Sequence, residues 1–203
     1  MASEKIANLL ERNKGFNVAL APPFIADVSK RLHTPGGPGG TVIISCSDPR
    51  VIPEQYFDFG RGVAAVIRNA GGRASDALRS LAALDAIGNT DTVIIVHHTD
   101  CGMTHMPDSG VRKMLKERAP QLSKEIDRMK FGEITNVDES IRQDIALLRA
   151  SPLISKTLTI VGFNLDILTG QLTEVKLERL PEEFLGIDEG FWKEMEEFAP
   201  FWC

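Results

Sequence analysis

A chain of 203 residues with 43% apolar and 25% charged residues has the composition of a globular protein with one real core, and no apolar run approaches the roughly 20 residues that a membrane-crossing helix needs. The net charge of −5 gathers at residues 181–203, where seven acids face Lys193 alone, so no basic footprint exists for nucleic acid or an anionic membrane. The N-terminal "MASEKIANLLERNKGF" has no unbroken apolar stretch before a cleavage site, which points to a cytoplasmic protein, and three cysteines are an odd number for a disulfide framework.

In chain order, "TPGGPGG" at 34–40 precedes a strand, whereas a phosphate cradle follows one and opens a helix; it reads as a connector. "TVIISC" at 41–46 and "VAAVIRNA" at 63–70 are nearly continuous apolar runs, the pattern of strands covered on both faces in a parallel sheet. "RNAGGRAS" at 68–75 puts two glycines between a strand and a helix, where their N–H groups face a small anion or their missing side chains let the helix pack closely. Ala77, Leu81 and Leu84 fall at helical spacing, with Ser75 as candidate N-cap and Gly88 as candidate stop. "TVIIVHHT" at 92–99 is a third strand, and 109–131 reads as a helix in two pieces broken near Pro120.

Val137, Ile141, Ile145 and Leu148 repeat the helical spacing behind Asn136, with Glu139 placed as in a capping box. "LTIVGFNL" at 158–165 is a fourth strand, and "ILTGQLTEV" at 167–175 a hairpin turning through Thr169-Gly170, so the last strand runs antiparallel. The acidic tail from Pro181, with Trp192 and Trp202, reads as a helix packing its aromatics on the body or on a partner chain. The expected fold is α/β: a mainly parallel β-sheet with an antiparallel last strand and helices on both faces. We expect one domain over 1–203, with an N-terminal helical arm and loop (1–40), a core (41–180) and a tail (181–203).

Ligands of an open parallel sheet bind beyond the carboxyl ends of its strands. Two such ends carry reactive residues here, Cys46-Ser-Asp48-Pro-Arg50 and "HHTDCGM" at 97–103. Alone, a cysteine at a strand end is usually a small buried hydrophobe and a strand histidine a satisfied core residue. Together, C-x-D-x-R and H-x-x-C bring two thiolates and an imidazole around one point, which suits a tetrahedral zinc site with Cys46, His98 and Cys101 as ligands and a fourth position open to water. Arg50 would hold Asp48 ionised and fixed, able to orient or deprotonate the water or to bind the metal itself. Phosphatase-type cysteine chemistry needs C-x5-R where this chain has C-x3-R, and a redox pair favours C-x-x-C. His33, His97 and His105 lack the H-x-x-C spacing and read as ordinary structural residues.

These motifs, with "RNAGG" at 68–72 and "VGFNLDILTGQLTEV" at 161–175, resemble the beta class of carbonic anhydrases, closest to its short microbial members. The resemblance implies an obligate homodimer embraced by N-terminal helices, or a dimer of dimers, with one Zn2+ per chain on Cys46, His98 and Cys101. It also implies an Asp48–Arg50 dyad and a Gly102 N–H facing the substrate. The implied reaction is zinc-dependent hydration of carbon dioxide to bicarbonate, since zinc lowers the pKa of its water to about 7. Relatives with the same zinc site hydrolyse carbonyl sulfide or carbon disulfide, so carbonyl sulfide hydrolase is the alternative. A non-catalytic zinc protein that binds a partner through its tail is the third reading. The expected partners of an enzyme are a small linear substrate and a small anion product. The resemblance assigns no role to the tail or to Cys203.

Overall fold

Strands rich in β-branched residues that tolerate burial on both faces form the centre of the sheet. The computed structural model describes residues 2–14 and 24–177, so the tail and Cys203 lie outside the described residues. Within them β1 (Gly40–Cys46), β2 (Ala65–Asn69), β3 (Thr90–His98) and β4 (Thr159–Leu165) pair in parallel in the order β2-β1-β3-β4. β5 (Leu172–Glu174) joins β4 antiparallel, with Leu165 opposite Leu172. The expected hairpin forms: Gly170 takes φ 73°, and Asp166 Oδ1 accepts the N–H groups of Leu168 and Thr169.

One face of the sheet is covered by α4 (Ala74–Gly88) and α8 (Val137–Ala150). Their Ala77, Leu78, Leu81, Ile141, Ile145 and Leu148 pack on Val42, Ile44, Val93, Ile95 and Ile160. α8 starts as its sequence predicts, the Asn136 side chain accepting the Glu139 N–H at 2.9 Å. It lies close to β4 because Gly162 has no side chain; a Cβ there would overlap Ile141. On the other face Ile43, Val51, Val96 and Leu165 are buried. There α3 (Pro53–Tyr56) and the following Phe57 and Phe59 pack with Val66, Ile94 and Phe163, which stay part-buried.

The start of α4 departs from expectation. Ser75 is not its cap: the helix begins at Ala74, Arg73 holds the cap position without a side-chain capping bond, and the Ala74 N–H goes to Asp144 Oδ2 at 2.9 Å. A carboxylate from α8 has taken the capping role, favourable at the positive end of a helix dipole. At the far end the left-handed residue is Asn89 (φ 45°) rather than Gly88, and asparagine is the usual second choice there.

α2 (Ile25–Leu32) leans on the end of α4, with Ser29 Oγ donating to the Ile87 carbonyl at 2.6 Å. α5 (Gly102–His105) follows β3, and Pro120 separates α6 (Asp108–Arg118) from α7 (Ser123–Arg128) as expected. α1 (Ala2–Lys14) carries Ile6, Leu9 and Leu10 exposed. No helix among the described residues is long and apolar enough to cross a membrane.

Candidate metal centre

β1 and β3 are adjacent and parallel, so their carboxyl ends meet at one edge of the sheet. Cys46 is the last residue of β1 and His98 the last of β3. Cys101 follows through a tight turn in which Asp100 takes a left-handed φ of 53°, a conformation that Asp tolerates better than most residues. The turn folds Cys101 back beside Cys46, with the two sulfurs 3.8 Å apart. The Cys46 and Cys101 sulfurs and a His98 ring nitrogen all lie within 4.8 Å of one another, and all three residues are buried.

The donor set fits a metal ion on its own chemistry. His98 Nδ1 bonds the Thr99 carbonyl at 2.8 Å, which puts the hydrogen on Nδ1 and leaves Nε2 as a lone pair. That Nε2 is buried and has no hydrogen-bond partner, although the Cys46 sulfur is near enough to act on it electrostatically. Buried polar atoms are rarely left so. The bond from Cys101 depresses the Cys46 thiol well below the usual range against the opposing pull of burial, helped by His98 and by the Asp48 N–H. The Cys101 thiol is pushed well up by its bond to Cys46 and by burial. Burial lowers the His98 basicity, but the nearby Cys46 sulfur and its charge outweigh it and raise it. A cation entering this cluster replaces the thiol proton and lies among two sulfurs and one nitrogen, a set typical of zinc.

Asp48 and Arg50 form the expected pair. Arg50 Nη2 donates to Asp48 Oδ2 at 2.7 Å and Nε to Oδ1 at 3.0 Å, and the Arg50 backbone N–H adds a bond at 2.9 Å. These bonds hold the Asp48 carboxyl down at about 2. Asp48 Oδ2 lies 4.0 Å from His98 Nε2, so the carboxylate faces the cluster.

Three residues to which the sequence reading gave no role at the site complete the frame. Arg50 Nη1 reaches Asp100 Oδ2 at 2.9 Å, which ties the β1 end to the β3 end. Arg68 donates to the carbonyls of Cys46, Asp48 and Val51 at 2.9, 2.6 and 2.7 Å and holds the loop after β1. His105 bonds Asp100 Oδ1 at 2.8 Å. A charged residue between H and C in "HTDC" was the available signal for Asp100; nothing local marks Arg68.

Gly102 opens α5 with nothing within 4 Å of the place a Cβ would take. Beside the cluster a cleft of about 520 Å³ is lined by Arg50, Thr99, Asp100, Ile167 and Leu168. His33, His97 and His105 stay out of the cluster: His33 bonds Ser29, and His97 is buried against Ser140 and Gly72.

Residues 41–172 match the carbonic anhydrase family. The chain is similar to beta-carbonic anhydrase 1 of Mycobacterium tuberculosis, 31% identical over 137 residues, covering 66% of this chain and 80% of that protein. It is also similar to a carbon disulfide hydrolase of Acidithiobacillus thiooxidans, 30% identical over 147 residues, covering 64% of this chain and 74% of the other. The solved structure of a carbonic anhydrase from Streptococcus mutans superposes with a TM-score of 0.69 at 29% identity, over 84% of this chain and 97% of that one.

Proposed function

The chain belongs to the beta-carbonic anhydrase family, and we propose that it hydrates carbon dioxide to bicarbonate with one Zn2+ held by Cys46, His98 and Cys101. The observation that carries this reading is the buried pair of sulfurs around an unpartnered His98 Nε2. Bound zinc supplies Lewis acidity, which brings the pKa of water to about 7.

The chain's own residues do the rest. Asp48, ionised throughout the working range, orients the attacking water and accepts its hydrogen bond. Arg50 keeps that carboxylate in place and ties it to Asp100. The Gly102 N–H faces the substrate oxygen, and Ile167 and Leu168 give the cleft an apolar side suited to a small linear molecule. The whole chain acts as one domain in the cytoplasm. The exposed Ile6, Leu9 and Leu10 of α1 support a homodimer or a dimer of dimers, which light scattering on the eluted protein would size.

A second reading is hydrolysis of carbonyl sulfide to hydrogen sulfide and carbon dioxide, supported by the similarity to proteins named carbon disulfide hydrolase at 26 to 30% identity. Stopped-flow hydration of carbon dioxide, run beside hydrogen sulfide release from carbonyl sulfide on zinc-loaded protein, separates the two. Fast hydration with weak sulfide release is the expected result; the reverse assigns the second reading. Cys46→Ser should lose its zinc, and a variant that keeps one zinc per chain would sink the ligand assignment.

A further inference from the structure

A buried carboxylate is costly unless it is paired, and the reaction above does not use the one on α8. The Asp144 side chain is only 2% exposed. Its Oδ1 accepts Arg73 Nη2 at 3.0 Å and Nε at 3.2 Å, and its Oδ2 accepts the Ala74 N–H at 2.9 Å. The same Oδ2 lies 3.1 Å from Nε2 of His97, the residue before the candidate ligand His98. His97 Nε2 is also 3.1 Å from the Gly72 carbonyl. Both neighbours of Nε2 are acceptors, so Nε2 carries the hydrogen. The other ring nitrogen is held by Ser140 Oγ at 2.7 Å.

All these bonds converge on one turn. Gly71 and Gly72 have φ of 76° and 72°, and Gly72 lies flat against the strand ends: a Cβ on it would stand 3.0 Å from the Cys46 nitrogen and 3.1 Å from the Val96 carbonyl oxygen. The turn therefore meets Cys46 through its backbone, next to the loop whose Asp48 N–H reaches the Cys46 sulfur at 3.4 Å. The place of Cys46 depends on a turn held by His97 at the Gly72 carbonyl and by Asp144 through Arg73 and the Ala74 N–H.

We propose that Asp144 is a positioning residue for the metal centre: with His97 and Arg73 it fixes the Gly71–Gly72 turn that packs against the Cys46 backbone and so sets where the Cys46 sulfur stands. The inference rests on the reading of Cys46, His98 and Cys101 as metal ligands. Partners one step removed from a ligand orient it and tune the metal, and their loss commonly costs about 10–100-fold in metal affinity. In Asp144→Asn the new NH2 group confronts either Arg73 or the Ala74 N–H and His97, so the turn loses part of its anchor.

The test loads wild type, Asp144→Asn, Ser140→Ala and Ile160→Ala with zinc and, separately, with cobalt(II). It reads zinc release to a chromogenic chelator, the sulfur-to-cobalt charge-transfer band, and the melting temperature. Asp144→Asn should release zinc roughly tenfold faster or more and shift the band. Ser140→Ala should move both in the same direction by less. Ile160→Ala, in the core away from the turn, should melt earlier with wild-type release and band.

Wild-type release and band in both polar variants, or the same change in Ile160→Ala, overturn the proposal. If Asp144→Asn does not fold, Ser140→Ala decides. A wild type that binds no stoichiometric zinc removes the ligand reading and this inference together; a wild type that binds zinc beside silent variants removes this inference alone.

Discussion

Gly72→Ala gives the sharpest test of how the turn after β2 meets the strand ends. Gly72 has φ of 72°, and a left-handed backbone costs an L-residue about 1–2 kcal/mol. Its new methyl would stand 3.0 Å from the Cys46 nitrogen and the Ser45 carbonyl carbon and 3.1 Å from the Val96 oxygen. All three are backbone atoms with no rotamer to yield, so overpacking adds about 1–3 kcal/mol. The total is about 2–5 kcal/mol, a large share of the 5–15 kcal/mol that holds a typical domain together. At about 2–4 °C per kcal/mol for a chain of this size, the melting temperature of metal-free protein should fall by roughly 4–20 °C. Thermal unfolding by circular dichroism, with chelator present, reads this directly. Alanine keeps the backbone N–H, so the loss comes from backbone strain and overpacking rather than from a missing donor; a melting temperature within about 1 °C of wild type would falsify this reasoning.

Two further perturbations isolate single contributions. The Arg50 side chain, then its backbone N–H and charge, lower the Asp48 pKa to about 2, so the carboxylate stays charged as pH falls until far below the working range. Asp48→Asn should therefore cut kcat by about 10²–10⁴ at every pH between roughly 5.5 and 9, with the shape of the profile kept; a moved acid limb would assign that limb to Asp48 and contradict the pairing. Asn136→Ala removes the acceptor of the Glu139 N–H and should cost about 1 kcal/mol, or roughly 2–4 °C, with zinc content unchanged. An unshifted melting curve would mean that water caps α8 equally well.

What could be read from the sequence was whatever has a local cause. Runs such as "TVIISC" and "TVIIVHHT" leave no polar face, so the chain between the two must cross over and return parallel. The cap at Asn136 lies within three residues of its partner, and the Thr169-Gly170 turn within a few. C-x-D-x-R and H-x-x-C could be joined because the rule about strand ends supplies the missing proximity.

Long-range interactions stayed hidden. Ser75 looked like a cap because nothing near it announces that Asp144, 70 positions away, already satisfies the Ala74 N–H. His97 had no motif spacing, and its place beneath Gly72 follows from how β3 packs against the turn after β2. Of the two readings offered for the glycines at 71 and 72, close packing has its counterpart in Gly72 lying against the Cys46 backbone.

The spacing of the cluster has a consequence for biogenesis. Cys46 and Cys101 are 55 positions apart, and β2 and α4 are made between them. A chain emerging during synthesis therefore offers a lone thiol until β3 and its turn have been made, and no short segment can chelate a metal before β1 and β3 align. Such non-local pairing is slow because the loop must close before any contact rewards it. If Cys46, His98 and Cys101 hold zinc as proposed, metal capture belongs to the folded state and shifts the folding equilibrium by mass action, about 2.7 kcal/mol when free metal stands at 100 times its Kd. Metal starvation would then lower the folded population as well as the loaded one.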